Sequence, residues 1–144
     1  MPNLKTTQSY CHGVHLSIQS LLHLADVWYP DSGASSHMVG NLSLLQYVVP
    51  YYDSQQVMVG NGTLLPISHI GTSSLKFDIF TIILNHVLVV SNLTKNKIYI
   101  QRLCLDNYCI VQFSSSHFVL KDPKIMKPLI QCSSRGSIYP LIVG

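Results

Sequence analysis

Trp28-Tyr29-Pro30-Asp31-Ser32-Gly33-Ala34-Ser35-Ser36-His37-Met38 places a single acid directly after an aromatic-proline run and directly before a string of small residues. A carboxylate in that setting is positioned rather than merely solvated. Ser32 is short enough to hydrogen-bond nearby backbone, and Gly33 and Ala34 carry too little side chain to stop a second backbone coming close. The plain alternative is an ordinary Asp-Ser-Gly turn, which the tripeptide alone would favour.

The order of the segments downstream of Met38 decides between these readings. Val57-Met58-Val59-Gly60-Asn61-Gly62-Thr63-Leu64-Leu65-Pro66-Ile67 reads as a strand, a tight turn and a second strand, with Asn-Gly supplying the positive φ angles of a two-residue hairpin. Further segments then come in order: Ile67-Ser68-His69-Ile70-Gly71, Leu84 to Asn96, Leu103-Cys104-Leu105-Asp106-Asn107, and Ser134 to Leu141. From about Trp28 to about Leu141 this succession resembles the retropepsin-like aspartic protease region of copia-type retrotransposon Pol polyproteins. Several unlike motifs in one order are far more specific than one short pattern recurring.

The resemblance implies a water-activating site in which Asp31 is the catalytic carboxylate, Ser32 and Gly33 shape its loop, and Gly60, Asn61 and Gly62 form the tip of a flap over the substrate. Two carboxylates about 3 Å apart share one proton, so the pair acts as base toward water and acid toward the scissile amide. One loop is half of such a site. Asp26, Asp53, Asp78, Asp106 and Asp122 are not followed by Ser/Thr-Gly, so an active enzyme requires a homodimer with Asp31 from each copy. The substrate is then a polypeptide, the polyprotein itself. A catalytically silent β-barrel remnant that at most self-associates is the alternative.

The chain departs from the resembled pattern at Ser91, where the family usually has Pro, at Lys76 to Phe80, which interrupts a normally more polar segment, and in one further run. Where the family usually carries a small apolar run under the catalytic loop, this chain reads Lys97-Ile98-Tyr99-Ile100. A buried, unpaired Lys97 and an overpacked Tyr99 would destabilise the fold, and reverting both to Leu and Ser would then stabilise it by about 1–3 kcal/mol.

The expected fold class is all-β, a small closed acid-protease-like (retropepsin-like) β-barrel with one short helix. Short β-branched and aromatic runs recur at 55–59, 63–67, 74–83, 86–90, 108–113, 117–121, 129–132 and 137–142, with Gly, Asn, Ser or Pro clusters between them. A helix is expected over 98–105, with Ile98, Arg102 and Leu105 on one face. The expected organisation is a poorly ordered lead-in at 1–25, the barrel at 26–105, and a β-hairpin extension at 106–144 leading toward a truncated pre-integrase region.

Composition excludes more than it assigns. The 144 residues are 47% hydrophobic and only 10% charged, with a net charge of +3, and the basic residues form no run interleaved with aromatics, so nucleic-acid binding is unsupported. No apolar stretch is long enough to span a bilayer as a helix. Residues 1–25 show no secretory signal pattern, which leads us to expect a cytoplasmic or nuclear location and reduced thiols at Cys11, Cys104, Cys109 and Cys132. Cys11 and His12 invite a zinc-knuckle reading, but no second Cys follows at ligand spacing, so no metal or cofactor is expected. Ser36-His37 is not a nucleophile with its base, because adjacent residues of an extended chain point to opposite faces; His37 is read as a partly buried polar residue near the Asp31 loop. Asn41 and Asn92 are read as turn and cap residues.

Overall fold

A computed structural model of the chain describes residues 26–143. The lead-in, the helical turn at 19–24 and the zinc reading at Cys11 and His12 lie outside the described residues.

Among the described residues, eleven strands and one α-helix succeed one another along the chain: β1 (Asp26–Asp31), β2 (Met38–Val39), β3 (Gln46–Pro50), β4 (Gln56–Met58), β5 (Leu64–Lys76), β6 (Thr81–Val90), β7 (Asn96–Tyr99), α1 (Ile100–Asn107), β8 (Ile110–Phe113), β9 (His117–Lys121), β10 (Pro128–Ser133) and β11 (Leu141–Val143). The fold is all-β with a single short α-helix. The main sheet runs β11-β1-β7-β2-β6-β5-β3, with β4 added on β5, and β10-β9-β8 form a second sheet. The path is open between β11 and β3, so the barrel is approximate rather than closed.

Two parallel pairings give this sheet its character. β1 lies parallel to β7, with Pro30 opposite Ile98 and Asp31 opposite Tyr99; β2 lies parallel to β6 and antiparallel to β7. Parallel neighbours need long crossovers, and here the β3–β6 antiparallel run supplies the connection that returns the chain beside β1. Side chains alternate across each strand, so Trp28, Pro30 and Ile98 turn inward and are buried while Tyr29, Asp31, Lys97 and Tyr99 share the opposite face.

The core draws on both sheets. Trp28, Ile82, Leu84, Ile98 and Leu103 pack in one cluster with Phe118, Leu120, Ile130 and Leu141, all at most 1% exposed. A second cluster, Met38, Ile67, Leu88 and Val90, lies under the β4–β5 hairpin together with partly buried Val57 and Leu65.

Two local expectations require correction. The run at 74–83 is two strands rather than one: the chain reverses at Phe77–Phe80, where the Phe77 N–H donates to the Phe80 carbonyl at 2.8 Å. The helix begins at Ile100, because Ile98 is spent on the β1 pairing, and its buried residue is Leu103 while Leu105 is 70% exposed. Asn107, at the helix end, accepts from the Ile83 N–H at 2.7 Å and donates to the Ile83 and Leu103 carbonyls at 2.8 and 2.9 Å. Its amide thus pairs with strand β6 as a neighbouring backbone would, which fastens α1 to the sheet.

Candidate functional site

Asp31 is the last residue of β1, and the turn begins at Ser32. Its Oδ1 accepts from the Gly33 N–H at 2.8 Å, and its carbonyl accepts from the Ala34 N–H at 3.2 Å. This is an Asx turn, in which a short acid satisfies the backbone two residues on. A Cβ on residue 33 would stand 3.3 Å from that same Oδ1, so a larger residue there would require the carboxylate to move by a few tenths of an ångström. Ser32 is exposed.

The hairpin expected at 57–67 forms between β4 and β5, with Val57 opposite Leu65 and Met58 opposite Leu64. Its tip differs from the two-residue Asn-Gly turn. The Gly62 N–H donates to the Val59 carbonyl at 2.8 Å and the Val59 N–H to the Thr63 carbonyl at 2.9 Å, while Gly62 alone of the three tip residues has positive φ, at +85°. That is a three-residue loop, a tight turn at Gly60-Asn61 followed by a left-handed glycine. Asn61 uses its side chain instead of a left-handed backbone: Oδ1 accepts from the Thr63 N–H at 3.0 Å.

The two segments meet. A cleft of about 530 Å³ is lined on one side by Asp31, Gly33 and Ser35 and on the other by Gln56, Val57 and Gly60. Among the described residues β4 pairs only with β5, so one edge of this strand is without a β partner there. Asp31 thus faces a groove walled by an edge strand.

Two residues that matter here carry no weight in the sequence reading of the site. The first is Lys97, whose Nζ lies 3.7 Å from Asp31 Oδ2. Its expected role as a buried charge is overturned: the side chain is 26% exposed, and it is Ile98, one residue on, that turns into the core at 0% exposure. A shift of one residue in a strand exchanges faces, which is why an apolar pattern aligned across Lys97 and Tyr99 points to the wrong side. Tyr99 is likewise only partly buried, its hydroxyl donating to Gln101 Oε1. The double reversion Lys97→Leu and Tyr99→Ser is therefore expected to shift stability by no more than about 1 kcal/mol, the scale of a half-exposed ion pair; urea-melt midpoints of the two proteins measure it.

The second is His37. It is 1% exposed, more deeply placed than a partly buried residue, and its Nδ1 accepts from the Tyr99 N–H at 2.9 Å. An accepting Nδ1 leaves the proton on Nε2. Its carbonyl also accepts from the Leu88 N–H at 2.9 Å. Because Tyr99 is opposite Asp31 in the β1–β7 pairing, His37 fixes the strand end beside the acid. Burial pushes its pKa from 6.5 down to about 4, with Arg102 and His86 acting in the same direction and Asp106 opposing. The imidazole is thus a neutral structural acceptor, and the Ser36-His37 pair is not a catalytic couple.

Elsewhere, Asn41 caps the short 3-10 turn Leu42–Leu44, its Oδ1 accepting from the Ser43 N–H at 2.9 Å, and Asn92 occupies a turn with φ +65°. Cys104 and Cys109 are free thiols, as expected. No helix among the described residues is long and apolar enough to cross a membrane.

An Asx-turned acid at a strand end, a β-hairpin across a cleft from it and an open barrel of mixed strands define a class, and the sequence agrees: residues 28–108 match the family model described as Pol polyprotein, beta-barrel domain. The chain belongs to that family. It is 36% identical over 115 residues to the retrovirus-related Pol polyprotein from transposon RE2 of Arabidopsis thaliana, and 36% identical over 112 residues to that from transposon RE1 of the same plant. These alignments cover 80% and 78% of this chain but 8% of each relative. The chain thus corresponds to a segment of a copia-type retrotransposon Pol polyprotein. No solved structure matches it significantly.

Proposed function

We propose that this chain is one half of an aspartic endopeptidase that processes its own polyprotein as a homodimer, with Asp31 of each copy forming the dyad. The observation that carries the reading is the cleft that Asp31 shares with β4 and Gly60. Its free strand edge offers unpaired N–H and C=O groups to an extended peptide, which is how a sheet edge binds a chain in β form, and closure of the hairpin would exclude water from the reacting amide. Ser32 and Gly33 hold the Asp31 loop, and Gly60, Asn61 and Gly62 are the flap tip. A peptide-cleavage assay comparing this chain with Asp31→Asn tests it: loss of cleavage supports the reading, and equal rates overturn it.

A silent remnant that at most self-associates is the second reading, and a specific contact favours it. Oδ1 of Asp31 is engaged by Gly33 N–H and Oδ2 faces Lys97, so both oxygens already have partners within the chain. Under this reading no peptide is cleaved at any chain concentration.

A further inference from the structure

Lys97 does more than neutralise Asp31, because it stands where three hollows meet. It lines the cleft under the hairpin, a cavity of about 400 Å³ between the flap tip and residues 92–95, and a cavity of about 570 Å³ on the far side of Asp31. Lys95 lines the second and third of these. Around all three, Asp31 is the one carboxylate against two ammonium groups among the described residues. Lys95 makes no ion pair among the described residues; its Nζ lies 5.3 Å from the centroid of the Tyr29 ring. The two cavities that Lys95 and Lys97 share therefore carry a surplus positive charge, the larger one bordered by aromatic walls at Tyr29, Phe113 and Tyr139, whereas the adjoining cleft under the hairpin holds Asp31 and Lys97 as its charged groups.

We propose that Lys95 and Lys97 form an acidic-side-chain subsite, so that the groove selects an extended peptide carrying Glu or Asp close to the residue set against Asp31. This rests on the peptidase reading for what the peptide is used for. A carboxylate entering the groove competes with Asp31 for Lys97, and the existing pair is long and half exposed, with the two side chains 26% and 40% accessible, which makes it readily exchangeable. Binding of an acidic peptide thus draws the ammonium away and frees Oδ2 of Asp31. Lys95, which shares the two adjoining cavities with Lys97, holds the same ligand. The occupant is a peptide rather than a single-stranded nucleic acid because the cleft that Lys97 shares with Asp31 is bordered by β4, which pairs only with β5 among the described residues, and a strand with a free edge pairs with an extended chain.

The test uses two labelled peptides that share an apolar sequence and a reduced, uncleavable central bond, and differ only in having Glu or Gln beside it. Fluorescence anisotropy with the full chain is expected to give about tenfold tighter binding of the Glu peptide, falling to about twofold or less in Lys95→Gln/Lys97→Gln and retained in Lys97→Arg. Equal affinities, binding of neither peptide, or a Glu preference that survives the double change would overturn the proposal. Capture of an oligouridylate more tightly than the Glu peptide, lost in the double variant, would also overturn it, in favour of nucleic acid. Cleavable versions separate the two claims: hydrolysis of the Gln and Glu peptides at equal rates removes the subsite and leaves the peptidase, whereas a Glu preference in binding with no hydrolysis of either removes the peptidase and leaves the subsite.

Discussion

Asp31→Asn is expected to lower peptide cleavage by at least about 10²–10⁴-fold, the range that a positioned general acid-base group contributes. An amide at this position can still accept from the Gly33 N–H, as the carboxylate does at 2.8 Å, so the turn survives while the proton acceptor for water is lost. The loss should therefore come without a change in the urea-melt midpoint beyond the small effect of removing the Lys97 pair. Hydrolysis rates at matched concentration, with the midpoint as a control, measure it. If a homodimer shares one proton between two Asp31 carboxylates, cleavage should be greatest under acidic to mildly acidic conditions. Unchanged hydrolysis in Asp31→Asn would show that another group activates water.

Acid is also expected to weaken the fold, and His37 supplies the reason. With its pKa held near 4 against an ordinary 6.5, the native chain refuses a proton that the unfolded chain accepts between those values. The stabilisation from a neutral His37 is therefore complete above about pH 6.5 and is lost progressively as pH falls toward about 4, amounting to roughly 3 kcal/mol over that window. Protonating Nδ1 would turn it from acceptor to donor against the Tyr99 N–H, loosening β7 where it borders Asp31. His37→Asn, which keeps a neutral acceptor, should be less stable at neutral pH through lost packing but much flatter with pH across this range. Urea melts at several pH values compare the two. Equal slopes for the two proteins would mean that other groups carry the acid sensitivity. If Asp31 serves in a dyad, acid would favour the shared proton while undermining the strand end beside it, so the proposed peptidase activity should peak in a narrow mildly acidic range.

What the sequence disclosed and what it concealed divide along the range of the interactions. The β4–β5 hairpin, the β8–β9 hairpin over Ile110–Phe113 and His117–Lys121, and the Asn41 cap are set by neighbours in the chain, and turn chemistry with alternating side chains is enough to see them. Asp31 and Gly33 were legible for the same reason, since the Asx turn is a contact between residues two apart. β7 was not. Its last two residues, Ile98 and Tyr99, fall in the helix expected over 98–105, and only the parallel pairing with β1, 68 residues away at Trp28 and Asn96, makes a strand of the run. That one non-local pairing also decides which face Lys97 occupies, and hence whether it is a buried defect or the partner of Asp31. The two-residue β2 has too little pattern to recognise, yet it carries the bridge from β7 to β6. His37 shows the same limit: a histidine beside a serine reads as polar loop, and its burial against the Tyr99 N–H comes from a contact 62 residues distant in sequence.

The most direct test of Asp31 as half of a shared site is the dependence of cleavage rate on chain concentration. Each copy contributes one Asp-Ser-Gly loop, so below the dimer dissociation constant the rate should rise with the square of the chain concentration and become proportional to it only when the dimer is saturated. A rate proportional to concentration throughout the dilution series, down to the limit of detection and with no loss of activity per chain, would contradict a site built from two copies.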